Sequence, residues 1–371
     1  MYIQLKPCTC LFCMEPAHQE TNPMPEEPKK DHTLKGVVGI QNMGNTCYSN
    51  SIVQLLRASH EWNAFCLTHP IQERLSHISD ELPSKRILLA YQDILKSLWS
   101  AYKPAYVRPL AFISEVRKAV QGGVYEMFGV PVANDSHEFL VYLMDNFHEA
   151  LKTQEPYEEK QIPDELSSRD KRIWMAENGW NKFISKENSE IVRLFFGMMQ
   201  KDICCNNCQN HSYRWEVFNS LKISCDGETF HEWIQNEVKE TTIEGYKCDK
   251  CNGRHNATIF SHIWKLPHSL FVTLRRFHSN GSKNMAICPY RGETISFSNF
   301  FAEESNDPSR YWNYELRGVS DHHGTHMGGH YTAQFKHPLS EKWWWMDDQT
   351  AHDLDQPRFS SANYIFFFRK I

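Results

Sequence analysis

One cysteine in this chain of 371 residues has the surroundings that a thiol nucleophile requires. Cys47 ends the run GIQNMGNTC at residues 39–47, and apolar residues at helical spacing follow it. A helix that begins at this cysteine would favour the thiolate over the thiol, because a helix N-terminus carries a partial positive charge. Asn42 offers a side-chain amide that could face an oxyanion. A lone cysteine before a helix is more often a packed side chain, so both interpretations stay open on these residues alone.

A histidine near the C-terminus could act as the base for such a thiol. His330 follows Gly328 and Gly329, which leave room for a substrate strand to pass close to an imidazole. The run WWWMDD at residues 343–348 then places acidic side chains at the end of an apolar strand. A carboxylate there could hold His330 in the tautomer that accepts a proton from Cys47. The chain has 19 histidines, and spacing alone does not distinguish this one.

A second chemical motif consists of two C-x-x-C pairs, Cys205 with Cys208 and Cys248 with Cys251. Two residues between thiolates allow a tight turn to direct both sulfurs at one ion, and two such turns complete a tetrahedral site. A sulfur-only site suits zinc or an iron–sulfur cluster and leaves no position for water, so we predict one structural zinc ion. The 39 residues between the pairs are expected to form strands of their own. Cys204 could replace Cys205, and reduced thiols without a metal are the alternative.

The first 35 residues are rich in Pro, Glu, Lys and Cys and have no apolar periodicity. We therefore predict a flexible N-terminal arm over residues 1–35. Cys8, Cys10, Cys13 and His18 could form a second metal cluster within it. The sequence shows no second half of such a cluster, so side chains without a metal are the favoured interpretation there.

Helices are predicted in the N-terminal half of the chain. One begins close to Cys47, with Asn45 or Thr46 as its cap, and another spans residues 86–99. A stronger pattern at residues 135–151 starts with Asp-x-x-Glu, which resembles a capping box. The charged stretch that follows, up to about residue 190, is predicted to be an exposed insertion of helix and loop.

Strands are predicted beyond about residue 196, where the chain becomes aromatic and β-branched in short runs. These runs lie at residues 270–274, 314–319, 331–335, 343–346 and 364–368. A helical half followed by a sheet-rich half predicts an α+β fold.

The composition excludes several classes of function. A formal net charge of −5 argues against nucleic acid as the main partner, because phosphate-binding surfaces carry excess Lys and Arg. No run of about 18 apolar residues exists, so no membrane span is expected. The N-terminus has no secretory signal, and the 12 cysteines therefore indicate thiols and metal ligands in a reducing compartment. We expect an intracellular protein of the cytoplasm or nucleus.

Six sequence blocks, in order, resemble the ubiquitin-specific proteases, which are papain-like cysteine deubiquitinases with a thumb, a palm and fingers. The blocks are GIQNMGNTCYSNSIVQLL, NDSHEFLVYLMDN, the two C-x-x-C pairs, LPHSLFVTLRRF, YELRGVSDHHGTHMGGHYTAQF with WWWMDD, and NYIFFFRK. The resemblance implies a catalytic domain over residues 36–371. Its helical thumb would span about 36–195, its zinc-bearing β fingers about 196–265 and its antiparallel β palm about 266–371.

The resemblance also implies the catalytic roles. Cys47 matches the nucleophile, His330 the general base and Asp347 the acid that orients it. Asn42 matches the oxyanion donor, and Asp348 matches a neighbouring acid that supports or shares the third role in some members. The implied substrate is the isopeptide bond between the C-terminal glycine of ubiquitin and a lysine of another protein.

Further residues match the channel that holds the ubiquitin tail. Asp135 matches a position that binds this basic tail, and His322 matches a histidine of the channel. Gly328 and Gly329 would leave room for the terminal glycines, and Tyr331 follows them along the same wall. The four finger cysteines match the zinc ligands, and no organic cofactor is implied.

Two positions depart from the family or leave its alignment open. Asn134 stands where the family usually has glutamine, which puts a detail of tail binding in doubt. His323 lies next to His322, so the channel histidine could be either of them. Three other functions stay open: a protease for another ubiquitin-like modifier, an inactive ubiquitin-binding scaffold, and a zinc-ribbon nucleic-acid module. Nothing in the sequence predicts the oligomeric state.

Overall fold

Helices fill the first half of the described chain, as the apolar spacing predicts. The computed structural model describes residues 35–69, 71–292, 294–325 and 328–371. The helices of these residues are α1 (Cys47–Arg57), α2 (His60–Thr68), α3 (Ile71–Arg74), α4 (Pro83–Leu98), α5 (Leu110–Ala119), α6 (Ser136–Leu151), α7 (Ser168–Glu187), α8 (Glu190–Phe195) and α9 (Phe230–Val238).

The two helix starts that matter for the site differ in how they are capped. The side chain of Asp135 accepts hydrogen bonds from the backbone N–H groups of His137 at 2.7 Å and Glu138 at 3.0 Å, so it caps α6. At α1 the N-cap residue is Thr46, but its side chain makes no capping bond. Its hydroxyl instead accepts from the backbone N–H of Met43 at 2.8 Å, so Thr46 is one of the two predicted cap residues but caps without a side-chain bond.

Strands dominate from Gly197 onward, after two short strands nearer the N-terminus. They are β1 (Gly39–Ile40), β2 (Tyr106–Val107), β3 (Gly197–Cys205), β4 (His211–Phe218), β5 (Leu221–Ser224), β6 (Thr241–Lys247), β7 (Arg254–Lys265), β8 (Ser269–Arg275), β9 (Ile295–Ser296), β10 (Asn313–Thr325), β11 (Gly328–Lys336), β12 (Trp343–Asp347), β13 (Thr350–Leu354) and β14 (Asn363–Lys370). Each of the five predicted strands is present, lengthened at one or both ends.

Two main sheets carry the second half of the chain. The larger sheet has the order β13-β12-β11-β10-β14-β8-β5, with β9 paired to β10. The smaller sheet has the order β4-β3-β7-β6 and bears the cysteine pairs. All neighbours in both sheets are antiparallel except β5 and β8. Helices packed on antiparallel sheets confirm the predicted α+β fold.

The segment between the cysteine pairs forms strands, as predicted, but these strands belong to two different sheets. It supplies β4 and β6 to the smaller sheet, but β5 joins the larger sheet beside β8. Helix α9 follows β5 and packs in the larger sheet's core through Phe230, Trp233 and Ile234. The residues between the two C-x-x-C pairs therefore contribute to both main sheets.

The core places α1 directly against β11, so it brings the cysteine and histidine segments together. The charged insertion contributes α7, which packs through Ala176 and Trp180 near Trp264 of β7. Across the described residues, no helix combines the length and the apolar character needed to span a membrane. The predicted arm at residues 1–35, with its four possible metal ligands, lies outside the described residues except for Lys35.

Candidate active site

A tight loop precedes Cys47, which is the first residue of α1 and is only 6% exposed. Gly44 has a φ of 90° and Asn45 a φ of 54°, so the chain turns sharply just before the helix. The side-chain oxygen of Asn42 accepts hydrogen bonds from the backbone N–H groups of Gly44 at 3.0 Å and Thr46 at 3.1 Å. These bonds fix the loop and the orientation of the Asn42 amide together.

His330, on β11, lies between Cys47 and Asp347. Its Nε2 is 2.6 Å from Oδ1 of Asp347, which ends the neighbouring strand β12. A hydrogen bond with the side chain of Cys47 and another with Asp347 raise the pKa of His330 to about 9, against the lowering effect of partial burial. Because Nε2 is engaged by Asp347, the nitrogen left for Cys47 is Nδ1. The structure thus brings together three residues that lie 283 and 17 positions apart.

Asp348 binds the loop and helix that carry Cys47. Its Oδ2 accepts from Nδ2 of Asn42 at 2.9 Å, and its Oδ1 accepts from Nδ2 of Asn50 at 2.8 Å. Its backbone carbonyl accepts from the N–H of Ile40 at 2.7 Å. Asp348 has a φ of 45°, a left-handed conformation that aspartate adopts more readily than most residues. It positions the oxyanion-donor candidate rather than His330.

A cleft of about 250 Å³ lies beside this centre and collects the predicted tail-binding residues. Its lining includes all five of them: Asp135, His322, Gly328, Gly329 and Tyr331. Acidic residues stand on the α6 side, and the glycine wall belongs to β11. The grouping agrees with a channel, while the role of each residue in binding stays a prediction.

The two glycines of the wall differ in what a side chain would meet. A Cβ on Gly329 would lie 2.4 Å from Nε2 of His322 and 2.4 Å from the carbonyl oxygen of His323. A Cβ on Gly328 would meet no atom of the described residues within 4 Å, although its φ of 153° disfavours other residues. Space is therefore the constraint at Gly329, and backbone conformation is the constraint at Gly328. His322, and not His323, lines the cleft.

Asp135 connects the cleft to the larger sheet as well as capping α6. Its Oδ2 accepts a hydrogen bond of 2.7 Å from the hydroxyl of Tyr364 on β14. Asn134 also lines the cleft, and its Nδ2 donates to the carbonyl oxygens of Met127 at 3.2 Å and Val132 at 3.0 Å. The amide of Asn134, the residue that departs from the family pattern, therefore braces the segment at residues 127–132.

Four cysteine sulfurs converge at the end of the smaller sheet. Those of Cys205, Cys208, Cys248 and Cys251 all lie within 4.8 Å of one another, with separations of 4.0 Å for the first and last and 3.6 Å for the middle pair. A tetrahedral zinc site with Zn–S bonds of about 2.3 Å needs sulfurs about 3.8 Å apart, so the residues fit one such ion. Cys204 lies outside the cluster, and its thiol donates to Oε1 of Gln209 at 3.6 Å.

Backbone amides favour the thiolate form within this cluster. Hydrogen bonds from the N–H of Cys251 and of Lys250 lower the pKa of Cys248 to about 7. Atoms of His330, Asp347 and Asp348 that could bind a metal ion also lie within 4.8 Å of one another. Hydrogen bonds among themselves and with the asparagine amides account for that second group without a metal.

Sequence reasoning missed three residues at the site: Asn50, Lys283 and Tyr364. Asn50 lies one helical turn after Cys47, and that spacing on one helix face could have drawn attention to it. Lys283 lies outside the sequence blocks, and Tyr364 lies in the final block without a role assigned to it; each contacts a residue that lines the cleft. Lys283 Nζ lies 3.2 Å from Nδ1 of His322.

Comparison with curated proteins finds relatives that share most of this chain. The ubiquitin carboxyl-terminal hydrolase Usp2 of Drosophila melanogaster is 27% identical over 354 residues, which is 92% of this chain and 36% of that protein. Human ubiquitin carboxyl-terminal hydrolase 2 is 27% identical over 351 residues, which is 90% of this chain and 55% of that protein. The chain thus spans between about a third and just over a half of these relatives.

Solved structures show the same fold. A chain of the SAGA Ubp8/Sgf11/Sus1/Sgf73 DUB module bound to ubiquitin aldehyde matches with a TM-score of 0.68 at 20% identity, covering 92% of this chain and 71% of that one. The module bound to monoubiquitin matches with a TM-score of 0.69 at 21% identity, covering 94% and 72%. The family model described as "Ubiquitin carboxyl-terminal hydrolase" matches residues 38–368. This match over most of its length shows that the chain belongs to the ubiquitin carboxyl-terminal hydrolase family.

Proposed function

We propose that this chain is a thiol-dependent deubiquitinase that hydrolyses the isopeptide bond between the C-terminal glycine of ubiquitin and a substrate lysine. The observation that carries the proposal is the convergence of Cys47, His330 and Asp347 beside a glycine-walled cleft. Nε2 of His330 lies 2.6 Å from Oδ1 of Asp347, and interaction with the Cys47 side chain raises the pKa of His330. The relatives are named ubiquitin carboxyl-terminal hydrolases, and the matching SAGA module is bound to ubiquitin. Both support ubiquitin as the modifier.

The reaction proceeds through a thioester. The Cys47 thiolate attacks the carbonyl carbon of the terminal glycine, and the carbonyl π electrons move onto oxygen. His330 gives its Nδ1 proton to the lysine amine as the C–N bond breaks, which leaves ubiquitin bound to sulfur. The neutral imidazole then takes a proton from water as the water oxygen bonds to the thioester carbon. The C–S bond breaks, which restores the Cys47 thiolate beside protonated His330, and the released carboxyl group of ubiquitin loses its remaining proton to solvent.

Asp347 and the oxyanion donors act on different parts of this reaction. Asp347 holds His330 with Nε2 protonated, so that Nδ1 exchanges the proton with sulfur and amine. One N–H of the Asn42 amide is engaged by Asp348, and the other is free to donate to the oxyanion. The first-turn backbone N–H of Cys47 supplies a second donor, because a helix leaves its first amides without an internal partner. One such donor contributes about 2.7–4 kcal/mol.

The cleft suits an extended tail that ends in glycines. Asp135 offers negative charge on the side of the cleft opposite the glycine wall. The missing side chain at Gly329 leaves room for the ring of His322 at this wall. Tyr331, on the same strand as the two glycines, also lines the cleft. A tail with terminal glycines would bring no side chains of its own against this wall.

The remaining assignments follow the family pattern. One structural zinc would be held by Cys205, Cys208, Cys248 and Cys251, where it would cross-link the ends of β3 and β7 with their neighbours. Residues 36–195, 196–265 and 266–371 would serve as thumb, fingers and palm, preceded by the arm. The partners are ubiquitin and ubiquitinated proteins, and the cytoplasm or nucleus is the compartment where they would meet this chain.

Reaction with ubiquitin whose C-terminus carries an electrophile tests the proposal directly. We expect one covalent adduct, located on Cys47 by peptide mass spectrometry and absent from Cys47→Ala. A matched panel of probes built on other ubiquitin-like modifiers should react more slowly. Faster reaction with one of those probes would reassign the modifier. Ubiquitin binding without any adduct would show an inactive scaffold instead of an enzyme.

A further inference from the structure

Lys283 makes two contacts with the histidine of the cleft. Its Nζ lies 3.2 Å from Nδ1 of His322 and 2.5 Å from the carbonyl oxygen of the same residue. The lysine belongs to the segment between β8 and β9, where a single bridge pairs it with Phe277. An ammonium group has three donors and no acceptor, so Nδ1 of His322 must be the acceptor in this contact.

An acceptor at Nδ1 determines where the ring carries its proton. A neutral imidazole has one N–H, so accepting at Nδ1 leaves the proton on Nε2. Burial, and then the positive charges of Lys283 and His323, lower the pKa of His322 to about 4. The ring is therefore neutral near pH 7, with Nδ1 as its acceptor and Nε2 as its donor.

The donor nitrogen faces the cleft. The ring of His322 is held between Phe277, at 5.4 Å between centroids, and Tyr331, at 4.6 Å. A Cβ on Gly329 would lie 2.4 Å from Nε2, so this nitrogen stands directly over the glycine wall. Among the described residues, no side chain or backbone group is hydrogen-bonded to it. An N–H in this place is available to whatever occupies the cleft.

We propose that Lys283 is a positioning residue, which fixes His322 as the Nε2–H tautomer so that it donates a hydrogen bond to a backbone carbonyl of the ubiquitin tail. The tail's identity rests on the proposed function, but the tautomer does not. The carbonyls of an extended tail are acceptors whatever its side chains, and Gly329 lets its backbone approach. Without Lys283, the ring is free to place its proton on Nδ1, and Nε2 then presents a lone pair to those carbonyls.

Nitrogen NMR of the free protein tests the tautomer without any substrate. In protein labelled with 15N-histidine, we expect the two ring nitrogens of His322 to show an unprotonated Nδ1 and a protonated Nε2. The His322→Gln variant assigns the signals. Lys283→Met should give a mixture of the two tautomers, and Lys283→Arg, which keeps a donor, should preserve the original pattern. A protonated Nδ1 in the unaltered protein, or an unchanged pattern in Lys283→Met, would overturn the proposal.

Steady-state hydrolysis of a ubiquitin C-terminal amide tests the consequence. Lys283→Met should raise KM about 3- to 10-fold, as expected for one lost hydrogen bond, with kcat within about 2-fold. Lys239→Met removes an exposed lysine at the C-terminal end of α9 and should leave both constants unchanged. In the His322→Gln background, Lys283→Met should cause no further rise in KM. An equal rise in that background would mean that Lys283 acts on the tail by itself and would refute the positioning role.

The two experiments separate failure of this inference from failure of the proposed function. An inactive protein with the expected tautomer would contradict the deubiquitinase assignment and leave the Lys283–His322 relationship intact. An active protein whose His322 tautomer ignores Lys283 would contradict the inference alone.

Discussion

Asn42 and Asp348 lie 306 positions apart and are joined by a hydrogen bond of 2.9 Å from Nδ2 to Oδ2. Asn42 is also held from its other end, because its oxygen accepts from the N–H groups of Gly44 and Thr46. The amide cannot rotate without breaking these bonds. In the proposed mechanism, this relationship gives Asp348 a function separate from that of Asp347: Asp348 would orient the oxyanion donor Asn42, and Asp347 would orient the base His330.

Replacing Asp348 with asparagine should therefore impair the chemical step. Asparagine offers one oxygen and one NH2 group where Asp348 has two acceptors, so either Asn42 or Asn50 would face a donor and lose its bond. We expect kcat to fall about 10- to 100-fold, which is less than the cost of deleting an oxyanion donor outright. KM should change little, because the cleft is untouched. Steady-state kinetics on a ubiquitin C-terminal amide measure both constants.

Asp353→Asn is the matched control for this experiment, since it removes an exposed carboxylate from the adjacent strand β13. It should retain full kcat. A similar loss of kcat in both variants would indicate a general effect of negative charge near the site, and would argue against the orienting role of Asp348.

The sequence predicts the chemical groups of the site better than it predicts what holds them. The two C-x-x-C pairs are recognisable from their spacing, whereas Cys47, His330 and Asp347 are recognisable from the sequence blocks that resemble the family. The motifs do not predict that Asp348 contacts Asn50, because that contact spans 298 positions and depends on a left-handed turn after β12. Tertiary packing of α1 on the larger sheet creates the contact.

Tertiary packing, and not a local sequence pattern, also determines which histidine faces the cleft and which sheet the segment between the cysteine pairs joins. His322 and His323 are adjacent and chemically identical, and only the pairing of β10 with β11 turns the first toward the cleft. In the same way, the segment between the cysteine pairs contains short apolar runs that suit either sheet. Burial of Ile223 and Trp233 in the core of the larger sheet places β5 and α9 there.

The pKa of His330 predicts a pH dependence of stability. Its folded value of about 9 exceeds the ordinary 6.5, so the folded protein binds this proton more tightly than the unfolded chain does. The contribution is present below pH 6.5 and is lost as the pH rises through 9. Urea unfolding at pH 6.5 and pH 9 should therefore show a larger loss of unfolding free energy in the unaltered protein than in Cys47→Ala, which lacks the main cause of the shift.

Direct titration of the histidine ring by NMR provides the control for this prediction. The His330 pKa should drop in Cys47→Ala, and to a smaller extent in Asp347→Asn, since the bond with Cys47 is the larger cause. His337 is buried and has a pKa lowered to about 4, so it should not respond to either substitution. An unchanged His330 titration in Cys47→Ala would mean that the two side chains do not interact in solution.

Asp135 caps α6 and has a proposed role in tail binding, and one substitution can keep the cap while removing the proposed role. Serine is a good N-cap, so Asp135→Ser should preserve α6 while it removes the negative charge from the cleft and the acceptor for Tyr364. We expect KM to rise about 10-fold, as for loss of a charge-assisted contact, with stability lowered only by the lost bond to Tyr364, which both Asp135→Ser and Asp135→Ala remove. Asp135→Ala should raise KM equally and also cost about 1 kcal/mol of unfolding free energy. If KM rose only in Asp135→Ala, the less stable of the two variants, a direct role of Asp135 in tail binding would be contradicted.

The cysteine cluster offers a comparison between adjacent residues. Cys205→Ser removes one of four converging ligands, whereas Cys204→Ser removes a neighbouring thiol that points to Gln209 instead. We expect the unaltered protein and Cys204→Ser to carry about one zinc per chain, and Cys205→Ser to have lost it, because a structural site needs all four ligands.

Metal analysis by mass spectrometry measures the zinc content, and melting curves with and without a chelator measure the contribution of zinc to folding. Because zinc binding is coupled to folding, the chelator should lower the melting temperature of Cys204→Ser and have little further effect on Cys205→Ser. Well-folded protein without zinc, or equal zinc loss in both variants, would show that the four thiols converge for a reason other than this metal.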